Sequence, residues 1–237
     1  MSEWNAFLEA VRVAERELGG PQELWYRGHA NPDWLLTPSL HRHNDWEQKE
    51  KLLFSEFTKT ASRLFEKRGS DWEILFDMQH YWVPTRLLDW STVMGVAIAF
   101  ILHSDQGDER DGALFILDPV RLNRLSGRHD VINVPEDRDF QYQTIYWEHR
   151  PIRIERPLAI RPGQQSDRIR AQKGVFTVHG TVGAGFEANA QDCFKKIVLP
   201  AAAKAEARDF LKWANLDEYT IYPDIVGMAR HITRKIL

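Results

Sequence analysis

The chain has 237 residues, a length suited to one large domain or two small ones. Its 43% hydrophobic and 27% charged residues place it in the globular range and exclude a disordered or membrane-like composition. A formal charge of −3 gives no overall basic bias toward nucleic acid or anionic lipid, and with Cys193 as the single cysteine an intrachain disulfide and a thiolate zinc cluster are excluded.

Trp4, Phe7, Leu8, Val11 and Leu18 recur at helical spacing and Gly19-Gly20 ends the pattern, so the chain is predicted to open with an amphipathic helix. The first residues lack a basic stretch followed by an apolar core, so no secretory leader is expected. Leu24 to Tyr26 reads as a short strand giving way at Arg27-Gly28 to a turn-rich loop. A long helix capped by Asn44 or Asp45 follows, with Leu52, Leu53, Phe57, Leu64 and Phe65 on its apolar side and Gly69-Ser70 closing it. Asp71 is expected to cap a second helix from Trp72 to about Tyr81, and Pro84 prevents its continuation. Ser91 or Thr92 is expected to cap a third, running to Leu102, that is apolar nearly all round and therefore central and buried. Its apolar run from Val93 is too short to cross a bilayer, so a soluble protein with no membrane partner is expected, and the single cysteine fits a cytoplasmic location.

The second half changes character. Ala113–Leu117, Val131–Val134, Thr144–Trp147, Leu158–Ile160, Val175–Val178 and Lys196–Leu199 are candidate strands between turn signals. A helix from about Ala201 to Trp213 and another starting near Pro223 close the chain. Helices first and strands later predict an α+β fold.

Three polar stretches stand out. Tyr26-Arg27-Gly28-His29 places a planar fork of donors beside a glycine that would let a ligand approach the backbone. Met78 to Trp90 packs Gln79, His80, Tyr81, Arg86, Asp89 and aromatic rings into the link between two apolar helices, where polar groups must pair with each other or with a ligand. Arg86 and Asp89 there suit either an ion pair locking the turn or a ligand site. Arg168 to Thr177 leads into a strand, with Gln172 able to bond a ligand hydroxyl and Gly174 marking a bulge or close approach. Glu148-His149 offers an acid/base pair or an exposed strand end. His41-x-His43 lacks a third ligand at a supporting spacing, so no metal is expected, and there is no phosphate-binding glycine loop, dinucleotide fingerprint or serine-hydrolase elbow.

Together these stretches resemble a known family. Trp25 to Gly28 followed by Trp34 to Arg42 looks like the opening of the FRG domain, named for its aromatic-Arg-Gly motif. Gln79 to Ser91 is similar to the family's most distinctive signature, Arg170 to Thr177 to its third block, and Tyr222-Pro223-Asp224 with Gly227 to its closing helix. The resemblance runs from about Leu24 to the C-terminus and implies a single FRG domain over residues 1–237, with 1–22 as a helix leading into it.

The block order is more distantly similar to ADP-ribosyltransferase folds. That likeness implies N-terminal helices packed on a mostly antiparallel or mixed sheet drawn from the second half, and NAD as substrate. Arg27 would grip NAD phosphate or ribose beside Tyr26, Gly28 would meet the carboxamide, and Gln79, His80 and Tyr81 would wall the nicotinamide, with Arg86 and Asp89 in the same site. Gln172 would orient the ribose in place of the usual catalytic glutamate. A glutamine takes up no proton, so either His80 or Glu148 handles the acceptor or Gln172 only positions NAD. The expected activity is ADP-ribosyl transfer to a macromolecule, protein or nucleic acid, by a toxin or defence effector. The alternative is a non-catalytic module for a nucleotide, nucleic acid or protein, and a metal-dependent hydrolase built on the histidines comes third.

Overall fold

The computed structural model describes residues 2–61, 70–103, 108–134, 137, 139–151, 153–163, 167–180, 186–190 and 192–236. The expected positions Leu64, Phe65 and Gly69 lie outside them. The helices are α1 (Glu3–Glu17), α2 (Trp46–Ala61), α3 (Asp71–His80), α4 (Met94–Leu102), α5 (Pro119–Arg124), α6 (Tyr142–Tyr146), α7 (Asp167–Gln172), α8 (Phe186–Asn189), α9 (Lys204–Trp213), α10 (Glu218–Ile221) and α11 (Ile225–Ile236). The strands are β1 (Trp25–His29), β2 (Leu87–Ser91), β3 (Gly112–Leu117), β4 (Ile132–Asn133), β5 (Leu158–Arg161), β6 (Gly174–Val178) and β7 (Phe194–Leu199).

Local chemistry sets the helix ends. The Ser2 side chain accepts from the Asn5 N–H, and α1 buries Trp4, Phe7, Val11 and Ala14 along one face. It stops where Gly19 and Gly20 take left-handed φ values of 87° and 59°. Ser70, not Asp71, caps α3: it exchanges hydrogen bonds with Glu73 in a capping box, which leaves Asp71 as the first helical residue. Helix α4 is buried on nearly all sides, as its composition demands. Its N-cap is Val93, whose N–H donates to Ser91 Oγ at 3.0 Å, so Ser91 serves from the strand before it. Helix α2 turns Glu50, Phe54 and Ala61 inward, packs the expected Leu53 and Phe57 partly buried against the core, and leaves Leu52 65% exposed, contrary to expectation.

The seven strands form one sheet in the order β4-β5-β6-β2-β1-β3-β7, parallel only between β4 and β5. The fold is α+β, but the two central strands come from the first half of the chain rather than the second. Leu87 to Ser91 was expected to link two helices and is instead β2. Conversely, the strand expected at Thr144–Trp147 is helix α6. Its Tyr142, Ile145 and Tyr146 recur at helical spacing and are buried against Trp72 and Phe140, a packing gain that overrides β-propensity.

This sheet is almost two sheets. β1 pairs with β3 along all five of its residues, and β2 pairs with β6 along all five of its own. Between β1 and β2 the register holds one pair, Tyr26 opposite Ser91. Each half carries its own core on one face: Leu114, Ile116 and Ile197 with α1, α4 and α9 on one side of the split, and Leu87, Ile160 and Phe176 with α3 and α6 on the other. The opposite face is continuous, with Trp25 and Phe115 packed beside Trp90 and Val175. A split central sheet with separate cores above it leaves a seam, and the candidate site lies there. Among the described residues no helix is long and apolar enough to cross a membrane.

Candidate functional site

The seam is a cleft of about 190 Å³. Tyr26, Arg27 and Gly28 border it from β1, Asp89, Trp90 and Ser91 from β2, and Phe76, Gln79 and His80 from α3. Phe100 of α4 and Ile169, Gln172 and Phe176 of the third stretch complete the lining. Pockets for drug-sized ligands run to roughly 300–1,000 Å³. This one therefore suits a single ring-sized group, between aromatic walls and a few polar side chains.

Arg27 sits within β1, not in a loop after it. Side chains alternate along a strand, so Arg27 leaves on the face of Trp25 and His29 and reaches into the split. Its Nε donates to His29 Nε2 at 3.0 Å and its Nη1 to the Asp89 carbonyl oxygen at 2.5 Å. A side chain thus occupies the edge where a closed sheet would place strand N–H groups. The Asp89 carboxylate lies 3.9 Å from Nη1. Nη2 makes no hydrogen bond to the described residues, so two donors of the fork are uncommitted. Burial lowers the Arg27 pKa and Asp89 opposes that shift.

His29 holds Arg27 in place. Its Nδ1 lies 3.2 Å from the Trp34 carbonyl oxygen. A carbonyl can only accept and the arginine Nε can only donate, so the ring is neutral with its proton on Nδ1. Burial, then the Arg27 charge, pushes the His29 pKa down to about 3, consistent with that tautomer.

Gly28 has another reason to be glycine than ligand approach. A Cβ there would stand 1.9 Å from the Ala97 carbonyl oxygen and 2.8 Å from Ile101 Cγ1. The missing side chain lets α4 lie directly on β1, and the backbone of Gly28 still borders the cleft.

Across the split the polar groups are chained. Leu87 N–H donates to Thr85 Oγ1 at 3.1 Å, Thr85 Oγ1 donates to Gln79 Oε1, and Gln79 Nε2 donates to Asp89 Oδ2 at 2.8 Å. Gln79 therefore both lines the cleft and fixes the Asp89 carboxylate. Ser91 Oγ donates to the Gln172 carbonyl oxygen at 2.7 Å, and Thr92 N–H donates to that of Lys173 at 3.2 Å. These bonds pin the α7–β6 turn to the β2–α4 turn. Gln172 is the last residue of α7, and β6 begins at Gly174. Its side-chain Nε2 is buried and has no hydrogen-bond partner among the described residues. A buried donor left unpaired costs about 1–3 kcal/mol, so this group favours a ligand acceptor.

Tyr26, Arg27, Gly28, Gln79, His80, Asp89 and Gln172 thus share the cleft, whereas Tyr81, Arg86 and Glu148 do not line it. Tyr81 is half exposed beside the His80 ring. Arg86 is fully buried elsewhere and committed to Glu50: its Nε donates to Glu50 Oε1 at 2.6 Å, Nη2 to Oε2, and Nη1 to the His179 carbonyl oxygen at 3.1 Å. Rings of Trp46 and Tyr146 lie over it at 5.0 and 4.7 Å. It pairs neither with Asp89 nor with anything in the cleft. Glu148 is half exposed and pairs with Arg150. His41 does not meet a metal cluster; its ring lies 4.1 Å from that of Trp46, and the described residues hold no group of three or more His, Cys, Asp or Glu suited to a metal.

The sequence gives His29 no evident role and Ser91 only that of a helix cap. The first is two residues from Arg27 on the same strand face, a signal that was available once the strand was extended. Trp82 borders the cleft while 70% exposed, with φ of 60°. A left-handed backbone costs a side-chain-bearing residue about 1–2 kcal/mol.

Residues 22–110 match the family model of the FRG domain. The chain carries an FRG domain. No curated protein and no solved structure matches the chain. The matched span of the FRG domain supplies β1, α3, β2 and α4, hence both edges of the split and most of the cleft wall. Gln172 and the α7–β6 turn come from beyond that span and complete the site.

Proposed function

We propose that the FRG-domain cleft holds the nicotinamide end of NAD and that the protein transfers ADP-ribose from it to a macromolecular acceptor. The carrying observation is the meeting of three distant stretches around one ring-sized cleft, with the Gln172 amide buried and lacking an acceptor. Nicotinamide is a flat ring bearing one polar substituent, and aromatic walls with a few fixed polar groups match it. The free Arg27 Nη2 donors suit a ribose hydroxyl or phosphate, and Gln172 Nε2 suits a ribose hydroxyl.

The chemistry follows from the groups at hand. The bond between ribose C1′ and the nicotinamide ring nitrogen breaks, and its electron pair neutralises the ring. Positive charge builds on the ribose as in glycoside cleavage. Among the described residues lining the cleft, Asp89 carries the sole carboxylate, and Gln79 holds it in position to face that charge. The acceptor nucleophile bonds to C1′, and its proton passes to His80 or to solvent. Glu148 lies away from the cleft and has no part in this scheme. A toxin or defence role fits modification of a macromolecule, and a cytoplasmic location fits NAD as substrate.

Purified protein incubated with labelled NAD and protein, RNA or DNA acceptors is expected to release nicotinamide and transfer label. Arg27→Ala and Gln172→Ala should each lower that rate at least tenfold. NAD left intact by the wild type with every acceptor would overturn the enzymatic assignment. A non-catalytic nucleotide module is favoured by one observation: the late residue is Gln172, which exchanges no proton. It predicts NAD binding without nicotinamide release.

A further inference from the structure

Helix α3 ends in a Schellman motif. Val83 N–H donates to the Met78 carbonyl at 2.9 Å and Trp82 N–H to that of Gln79 at 3.2 Å. Tyr81 is the C-cap, so Trp82 occupies the next position, the one that takes left-handed φ and is usually glycine. Trp82 indeed has φ of 60°, and a bulky residue there is an outlier. The residue is 70% exposed. Yet it lines the same cleft as Gln172, Phe76 and Phe176. Backbone strain retained at a solvent-exposed aromatic, on the rim of a ring-sized cleft, is the pattern of a ligand contact.

We propose that Trp82 is a ligand-binding residue whose indole stacks on the flat ring filling the cleft. That ring is nicotinamide on the function proposed above, on which this assignment rests. Trp82 borders the same cleft as the inner walls and is placed to meet a ring bound there. Indole supplies the largest π-face among the side chains, and stacking on it tolerates any flat ring.

Trp82→Gly, Trp82→Phe and wild type should be compared by thermal unfolding and by calorimetric titration with NAD, nicotinamide mononucleotide and ADP-ribose. Glycine relieves the backbone, so Trp82→Gly should melt roughly 2–4 °C higher than wild type. It should bind NAD and nicotinamide mononucleotide roughly tenfold more weakly, with ADP-ribose affinity unchanged. Trp82→Phe keeps both ring and strain and should resemble wild type. A lower melting temperature in Trp82→Gly would mark Trp82 as structural and overturn the proposal. NAD affinity equal to wild type in Trp82→Gly would overturn the stacking assignment alone. Wild-type protein that binds neither NAD nor nicotinamide mononucleotide would overturn the nicotinamide site and this proposal together.

Discussion

At the scale of single residues, the cleft is built from side chains whose identities answer to different demands. Arg27 is held by a neutral histidine and by a backbone carbonyl, which leaves part of its fork for a ligand. Gly28, its neighbour, answers to α4 instead. The Ala97 carbonyl oxygen that an added Cβ would meet at 1.9 Å is backbone, so the methyl cannot be absorbed by turning a side chain. Gly28→Ala should therefore destabilise the protein by about 3 kcal/mol or more, at the upper end of overpacking effects. Urea unfolding measures this. A wild-type midpoint for Gly28→Ala would show that α4 does not need the glycine and would return it to the ligand. An aromatic-Arg-Gly tripeptide can thus join one residue kept for a site to another kept for packing.

At the scale of elements, Glu50 of α2 and Arg86 at the head of β2 form a buried tie, extended by Tyr142 Oη, which donates to Glu50 Oε1 at 2.6 Å, and by Trp147 Nε1, which donates to Oε2 at 3.1 Å. Removing one partner leaves a buried charge without its counterion. Glu50→Ala should lose about 3–5 kcal/mol in urea unfolding. Glu50→Leu with Arg86→Met should lose less than either single change, because no charge is then stranded. A double variant as unstable as the sum of the singles would show that the two do not act as a pair. This tie also explains what the sequence concealed. Inward positions on α2 are marked by Glu50 and Phe54, so a charged residue stands where an apolar stripe was sought, and Leu52 draws attention to the wrong face. Helices α1, α4 and α9 were legible because their apolar spacing is governed by one continuous core. β2 was not legible, since its exposed Asp89 and the polar run before it read as a link between helices. Five-residue α6 is too short for its period to outweigh the β-branched and aromatic residues it contains. Of the site, the meeting of Arg27, Gln79, His80 and Gln172 was expected from the resemblance of the three stretches to one family, not from local polarity. The commitment of Arg86 was not, because its partner lies 36 residues away with no local signal.

At the scale of the whole molecule, His29 and His179 lie buried and His41 half-buried, each close to an arginine charge. Burial and the Arg27 charge lower His29 to about 3, burial and Arg86 lower His41 to about 4, and burial with His41 and Arg27 lowers His179 well below its ordinary value. In the unfolded chain each takes up a proton near pH 6.5. Between that pH and about 4 the unfolded state therefore binds more protons than the folded one, and stability rises with pH across the window. The full contribution is present above pH 6.5 and is lost as the pH falls toward 4, before most carboxylates titrate. Urea midpoints should be distinctly lower at pH 5 than at pH 7. Because His41 is one of the contributors, His41→Gln should flatten that slope without moving the pH 7 midpoint as far. Equal midpoints at pH 5 and pH 7 in the wild type would mean that the three rings are not held neutral. The same neutrality matters to the site: a protonated His29 could no longer accept from Arg27 Nε, so the arginine that bridges the split would lose its anchor. With its pKa held down to about 3, His29 stays neutral in the folded protein between pH 6.5 and 4, so NAD binding should hold there and weaken only as the pH falls toward 3, and in His29→Gln, whose side-chain oxygen can still accept from Arg27, that acid limb should be shallower than in the wild type.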